Sequence, residues 1–568
     1  MVAAPTLTVV IPAHDAEPWI GELLDSILTQ DVEDMEVLVV DDRSADATAA
    51  LVDAFGRRDP RVRRLASAEP GGAGARNTGA GAAEGEYIVF ADADDLVPPG
   101  AYRSMLDSLR SSGSDMAVGD HLKFSATATW SPTKRWYPFD IGVTVPTILG
   151  APELLTGRAC WNRMFRRAFW EREALRFPDV GHADDIVPMT RAVLTARGID
   201  VVPRCVYLYR EGASGTGASM SNRADEESLL SYLAEETTCV GLVRNAAPEL
   251  LRLQSVLVLD ADGWVHVDRY LRGLDGRPLT AVTEAIERLL SRLDRSVIND
   301  VAAERRCLFS LLLIGEHDEA ARFVAAMRLR DSDVVAHLEG WVRATTTLVR
   351  SAGLAELDRG ALVDDGLVTA MLNHADDAPP DDLAAIVGSV SQVLDAVRPP
   401  SAASELRGAM RHALSDGDPD GVALVSELRG HAPVVVDEVH AEVDRLVLSG
   451  PVTAGHLFTE ASIVLRSKGA PVVSDVTVDG RGWKALVRGD ALSAGRWSVS
   501  VRLRLSRVVA EVPVITARMP LPPLADDHLL QPLSDRRAGW RFLIDRRASR
   551  SWFGRFRAAA ARQRSARS

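Results

Sequence analysis

Four short runs rich in apolar residues, 6–11 (TLTVVI), 36–40 (EVLVV), 62–66 (VRRLA) and 87–91 (YIVFA), are separated by stretches of a different period. Between the first two, Ile20, Leu23, Leu24, Ile27 and Leu28 fall at helical spacing. After the second, Ser44 is placed to cap a helix that carries Leu51, Val52 and Phe55 on one face. A third helix is expected over about residues 73 to 84. Strand and helix therefore alternate. That order predicts an α/β domain, a mostly parallel sheet with helices on both faces, whose ligands gather beyond the C-terminal strand ends. Asp41, Asp42, Asp92, Asp94 and Asp95 all lie at such ends.

The acids after the fourth run carry the most chemistry. Asp92, Ala93, Asp94 and Asp95 follow directly on YIVFA. Carboxylates there are costly unless they are solvated, paired or bound to a cation. Hard divalent ions take such oxygen ligands and share their shell with phosphates. The competing reading is a polar turn before the helix that starts near Pro98. Upstream, the loop EPGGAGARNTGAGAAEG (69–85) carries six glycines. Glycine allows close backbone approach, and a helix N-terminus attracts anions. The spacing fits neither a P-loop nor a dinucleotide fingerprint. Arg76, the only cation between residues 65 and 102, is a candidate diphosphate or base contact, with a surface salt bridge as the alternative.

Together, VVIPAHDAEPWIGELLDSILTQ, VLVVDDRSADATA, GGAGARNTGAGAAEGEYIVFADADD and GHADDIVPMTRAV resemble family 2 glycosyltransferases of the GT-A fold, from about Thr6 to Ser221. The resemblance implies a nucleotide-diphospho-sugar transferase domain. Pro12, Ala13 and Asp15 then match the loop around the nucleotide base, and Asp41 and Asp42 the acidic pair at uracil and ribose. Arg76 and Asn77 match nucleotide-side contacts. Asp92 and Asp94 match the DxD signature, with Asp92 toward the ribose, Asp94 on a Mn²⁺ or Mg²⁺ ion, and Asp95 either completing the shell or capping a helix.

A second centre is expected near residue 185. Trp161, Met164, Phe165, Phe169 and Trp170 read as packing, and Asp184 and Asp185 open an apolar helix. Acids in a first helical turn complement the macrodipole. The family, however, places a Glu-Asp pair here whose Asp is the catalytic base, which implies Asp185 as base with Asp184 beside it. The resemblance also implies an inverting single displacement, with Arg210 near the diphosphate. The Gly/Ser-rich segment 212–221 suits either a flap over the donor or a linker. His182 is a weaker candidate for contact with acceptor or metal.

The 568 residues exceed one domain. Four parts are expected: the catalytic domain over 1–225, a mainly helical spacer over 226–430, an immunoglobulin-like β-sandwich over 431–525, and a basic aromatic tail over 526–568. The helical part shows apolar stripes with charged backs but no catalytic constellation. In RWSVSVRLRL, Trp497, Val499, Val501, Leu503 and Leu505 alternate with polar residues, the period-two pattern of a strand. Residues 534–568 hold eleven Arg against two Asp, in a chain of net charge −14. With interleaved aromatics this predicts a weak anionic-membrane contact rather than nucleic-acid binding.

The N-terminus lacks a signal-peptide pattern, and Cys160, Cys205, Cys239 and Cys307 show no CxxC pairing. A cytoplasmic protein, peripheral at the membrane and in one reading a homo-oligomer, is expected. Its partners would be a nucleotide sugar, most simply a uridine diphosphate sugar, and a surface glycan or polyol-phosphate polymer. The alternatives are polyol-phosphate or nucleotidyl transfer, and a non-catalytic nucleotide-binding scaffold.

Overall fold

The computed structural model describes residues 4–32, 34–132, 137–211, 225–274, 279–398, 405–430, 435–442, 445–468, 470–479, 482–488, 491–492, 495–516, 530–533 and 541–544. The chain divides into two compact units, residues 1–305 and 306–568.

The first unit is built on a mixed sheet. Its elements run β1 (Leu7–Ala13), α1 (Ile20–Leu28), β2 (Met35–Asp41), α2 (Thr48–Arg58), β3 (Val62–Ala66), α3 (Gly71–Ala82), β4 (Tyr87–Phe90) and α4 (Ala101–Ser112). There follow β5 (Met116–Phe124), the short β6 (Thr129–Trp130), α5 (Tyr137–Ile141), β7 (Val143–Val145), β8 (Arg163–Arg166), α6 (Arg167–Arg172), α7 (Ile186–Thr195) and β9 (Ile199–Arg210). The strand order is β3-β2-β1-β4-β8-β5-β9-β7, with β6 on β5. The first four strands are mutually parallel, β5 is parallel to β9, and β8 and β7 run against their neighbours.

Both faces of the central strands β1, β2 and β4 are covered, which is why they read as unbroken apolar runs, whereas β3 exposes Arg63 and Arg64. Val9, Ile11 and Val89 face one core with Leu23 and Leu24 of α1 and Met105 and Leu109 of α4. Val10, Ile88 and Phe90 face the other with Met189 and Val193 of α7. Two glycines of α3 allow close approach, Gly79 to the sheet and Gly74 to the turn before the helix. A Cβ on Gly79 would lie 2.3 Å from the Val10 Cγ1, and one on Gly74 would lie 2.4 Å from the Glu69 carbonyl oxygen. Only bare backbone lets the helix seat on β1 so closely.

The first unit does not stop at residue 225. It continues through α8 (Glu226–Ala246), α9 (Leu251–Val256) and α10 (Asp262–Arg272), with a π-turn at Leu257–Ala261, and through α11 (Thr280–Leu290). Val243 of α8, with Ala247 and Leu250, belongs to the core of α7 and the sheet. The amphipathic pattern of α8 reveals an apolar face but not the surface that it covers. That is why the sequence reading assigns the helix to a spacer.

The second unit begins within a helix over Ala303–Leu313 and continues with helices from His317–Met327 to Pro419–Leu428. An antiparallel assembly follows, whose two halves share one strand. The first part of Val472–Asp479 pairs with Glu460–Arg466, and the last part pairs with Gly482–Arg488. In Gly495–Leu505, Trp497, Val499, Val501, Leu503 and Leu505 are buried, as their alternation predicts. Strands Leu530–Leu533 and Arg541–Ile544 extend the same sheet, the latter pairing with residues 495–498. Part of the stretch read as a tail is therefore strand. Its other residues from 534 onward, like the Gly/Ser segment 212–221, lie outside the described residues.

Among the described residues no helix is long and apolar enough to cross a membrane. Cys160, Cys239 and Cys307 are buried and Cys205 partly so, and none of the four is in a disulfide.

Candidate active site

Parallel pairing brings the C-terminal ends of β1, β2 and β4 to one edge of the sheet. Ala13 lies opposite Asp41 in register, and the Ala91 N–H donates to the Val10 carbonyl (3.0 Å). Beside this edge lies a cavity of about 810 Å³. Arg76, Asp92, Asp94, Asp184 and Asp185 all line it, although 109 positions separate the first from the last. The N-terminus of α3, through Gly71, Gly72 and Ala73, forms another part of the wall. Backbone N–H groups and the helix dipole make such a terminus an anion site.

Arg76 joins the two acidic centres. One terminal nitrogen donates to the Asp92 Oδ1 and the other to the Asp184 Oδ2, both at 2.8 Å, and the side chain is 13% exposed. Its guanidinium carbon also lies 5.5 Å from the Phe177 ring centroid. Burial alone would lower the affinity of this group for its proton, but the neighbouring carboxylates hold it well above its ordinary value. The expected diphosphate contact is thus already occupied by two protein carboxylates.

The acids differ by environment. Desolvation, then the charge of Asp92, raises the Asp94 carboxyl to about 6. Desolvation, then Asp184, raises Asp185 to about 7. Asp185 stands just before the first residue of α7, where its carbonyl accepts from the Met189 N–H (3.0 Å). Adjacent carboxylates resist ionising together, which is why the charge of Asp184 adds to the rise at Asp185. Asp95 is different again. It is 1% exposed, lies outside the cavity wall, and its Oδ1 accepts from the Arg210 N–H at 2.6 Å.

The remaining expected site residues hold the loops. Asp15, in the left-handed region at φ +46°, accepts from the Ala45 N–H at 2.7 Å, while its own N–H donates to the Ser44 Oγ. It stitches the loop after β1 to the loop after β2. The Asp41 Oδ1 accepts from the Ser44 N–H at 3.3 Å. The Asp42 carboxylate accepts from the Gly71 N–H at 2.7 Å and pairs with Arg43. Asn77 clamps Phe177 by two hydrogen bonds, to its carbonyl (2.7 Å) and from its N–H (3.0 Å). The Arg210 Nε donates to the Asp94 carbonyl, and a terminal nitrogen pairs with Glu22, both at 2.7 Å. Pro12, Ala13, Asp15, Asp41, Asp42, Asn77 and Arg210 all lie outside the wall of the 810 Å³ cavity. Of the donor-side residues expected from the sequence, Arg76 and Asp92 reach it. A side chain at a strand end often goes to a neighbouring loop amide instead, and a motif cannot show which it serves.

Other wall residues come from places that the sequence reading passed over. Trp161, taken there as packing, stacks on Tyr207 at 4.6 Å between centroids. Arg158 is buried and pairs with Glu236 (2.7 Å) and Asp262 (2.5 Å). Tyr232 of α8 stacks on His266 of α10, with centroids 4.0 Å apart and planes 18° apart. The His182 N–H donates to the Ser231 Oγ, and that hydroxyl donates back to the His182 carbonyl (2.6 Å), which ties the Asp184 loop to α8. The one signal in the sequence was Asp262 and His266, four apart and so on one face of a helix.

Comparisons with known proteins find similarity in the first part of the chain. Residues 8–172 match the family model described as glycosyl transferase family 2. The chain is 27% identical over 219 residues to the uncharacterized glycosyltransferase EpsJ of Bacillus subtilis, across 36% of this chain and 61% of EpsJ. It is 32% identical over 225 residues to the succinoglycan biosynthesis protein ExoO of Rhizobium meliloti, across 37% of this chain and 62% of ExoO. It thus spans about three fifths of the length of these two relatives. A crystal structure of S. aureus TarS in complex with UDP-GlcNAc aligns at 20% identity with a TM-score of 0.44, covering 57% of this chain and 92% of that one. Residues 8–172 are thus similar to glycosyltransferase family 2, and the segment that bears Asp184 and Asp185 follows shortly after them in the chain.

Proposed function

We propose that the chain transfers a sugar from a nucleoside diphosphate sugar, most simply a uridine diphosphate sugar, to an acceptor hydroxyl of a cell-surface polymer by inverting single displacement. One observation carries the reading: a single cavity holds Asp94, raised to about 6, and Asp185, raised to about 7, with Arg76 bridging their partners Asp92 and Asp184. Pairs of carboxyls pushed out of their usual range in one cleft mark acid–base and metal chemistry.

Donor and acceptor halves then divide the cavity. The α3 N-terminus suits the diphosphate. Asp94, with Asp92 beside it, fits a hard divalent ion, Mn²⁺ or Mg²⁺. Among the described residues no group of three His, Cys, Asp or Glu is placed to hold a metal by itself. That suits an ion whose remaining ligands are diphosphate oxygens and water. Once bound, it supplies positive charge to the departing diphosphate. Asp95 faces the backbone of Arg210 rather than the cavity, so it belongs to the frame of this loop. Asp185 accepts the proton of the acceptor hydroxyl as that oxygen bonds to the anomeric carbon and the bond to the diphosphate oxygen breaks. Arg76 keeps Asp184 and Asp92 at their stations meanwhile.

Slow hydrolysis of a panel of nucleotide sugars, with Mn²⁺ present, tests this reading. The wild-type chain is expected to release nucleoside diphosphate from at least one donor, and Asp94→Ala and Asp185→Asn are expected to abolish that release. Release of pyrophosphate instead would move the chain to nucleotidyl transfer.

A further inference from the structure

Beyond the donor half, the cavity has a wall of a different character, made by α8 and α10 outside the segment that matches the family model. This wall places Tyr232, His266 and Asp262 in the same cavity as Asp184 and Asp185. The Tyr232 ring and the His266 imidazole form one stacked surface. Tyr232 is 1% exposed, and its hydroxyl has no hydrogen-bond partner among the described residues. A buried hydroxyl left unpaired is costly, and a site built to pair it with a ligand group discriminates strongly. Trp161 and Tyr209 add further aromatic surface.

The charge of this part of the cavity is one-sided. Among the described residues, Asp179, Asp184, Asp185 and Asp262 line it with two guanidiniums, Arg76 and Arg158, each already shared between two carboxylates, so the balance leans negative. Arg158 is already spent on Glu236 and Asp262. Burial pushes the His266 imidazole below its ordinary value, so it adds no positive charge at neutral pH. Among the described residues nothing in this wall offers an unpaired cation to a phosphodiester, whereas carboxylates and a tyrosine hydroxyl pair well with sugar hydroxyls. Aromatic faces pack against the apolar faces of pyranose rings.

We infer that the wall formed by Tyr232, His266 and Asp262 is the acceptor subsite, and that it takes a neutral glycan rather than a polyol-phosphate polymer. The inference rests on the glycosyltransferase reading above and narrows its acceptor. Like charges facing each other across a site exclude a wrong partner as effectively as contacts attract the right one.

The test uses the full chain with Mn²⁺ and UDP. Isothermal titration compares neutral gluco-, galacto- and N-acetylglucosamine oligosaccharides with oligo(ribitol phosphate) and oligo(glycerol phosphate) of matched length. At least one neutral oligomer is expected to bind about tenfold or more tighter than either phosphate oligomer. Tyr232→Phe and His266→Ala are expected to weaken that neutral ligand roughly five- to tenfold. Tighter binding of a phosphate oligomer, or neutral-ligand affinity unmoved in both variants, overturns the assignment. Donor hydrolysis by the wild-type chain, measured alongside, separates the two levels. If hydrolysis is present and the phosphate oligomer is preferred, only the acceptor assignment falls; if no donor is hydrolysed, the glycosyltransferase reading falls and takes the assignment with it.

Discussion

Asp185 and Arg76 show how much one side chain's surroundings decide. A carboxylate base works only when ionised, and Asp185 is raised to about 7. Turnover is therefore expected to rise with pH through about 7 and to level off above it, which a kcat–pH profile reads. Replacing Asp185 by Asn is expected to lower kcat by about 10²- to 10⁴-fold, while UDP still raises the melting temperature. The stability effect has the opposite sign. A carboxyl raised above its unfolded value favours the folded state while protonated, and that contribution is lost as pH rises through about 7. At pH 8 the Asn variant is thus expected to melt higher than the wild type in the absence of ligand. Arg76→Ala leaves Asp92 and Asp184 facing each other unpaired, and is expected to cost roughly 3 kcal/mol in urea unfolding. At this scale the candidate acids were legible in the sequence, since three carboxylates after an apolar run have few inexpensive explanations. The use of each was not. Asp92 and Asp95 stand three residues apart, yet one faces Arg76 and the cavity while the other faces the Arg210 backbone.

Among the elements, α3 carries two duties. Its N-terminus lines the cavity, and Gly79 seats it on β1. Gly79→Val brings side-chain atoms onto Val10 and Val40, and is expected to destabilise the chain by about 1–3 kcal/mol through overpacking, measured by chemical denaturation. A Gly-rich stretch in a sequence invites a phosphate-loop explanation; here the first turn and Arg76 face the cavity, while Gly79 makes room for β1 and Gly74 for the turn before the helix. The strands were legible because a doubly covered sheet leaves an unmistakable run of apolar residues. Helix α8 was legible as a helix, but its partner was not. Amphipathic periodicity records that one face is buried and carries no record of whether sheet, sandwich or another helix buries it.

For the whole molecule, the consequence concerns where the catalytic unit ends. The described wall of the cavity runs from Pro70 to His266, within the unit that reaches residue 305. A chain ended at residue 225 loses Tyr232, Asp262 and His266 and uncovers the core that Val243 helps to fill. It is expected to melt without a cooperative transition, whereas a chain ended at 305 is expected to melt cooperatively and to be stabilised by UDP with Mn²⁺. Scanning fluorimetry of the two truncations reads the difference.

From its order of residues alone, this chain determined the alternation of strands and helices and the sheet edge at which the acids after the fourth run collect, whereas the pair near residue 185 was singled out only by the family resemblance. The first two features are local, written in period and residue type. Only the tertiary structure decided that Arg76 bridges the two centres, that Asp95, Asp15, Asn77 and Arg210 hold loops, and that α8 and α10 close the cavity. Each of those depends on contacts between residues far apart in the chain, where the partner of a buried face or a charged group is chosen by the fold and leaves no periodic trace.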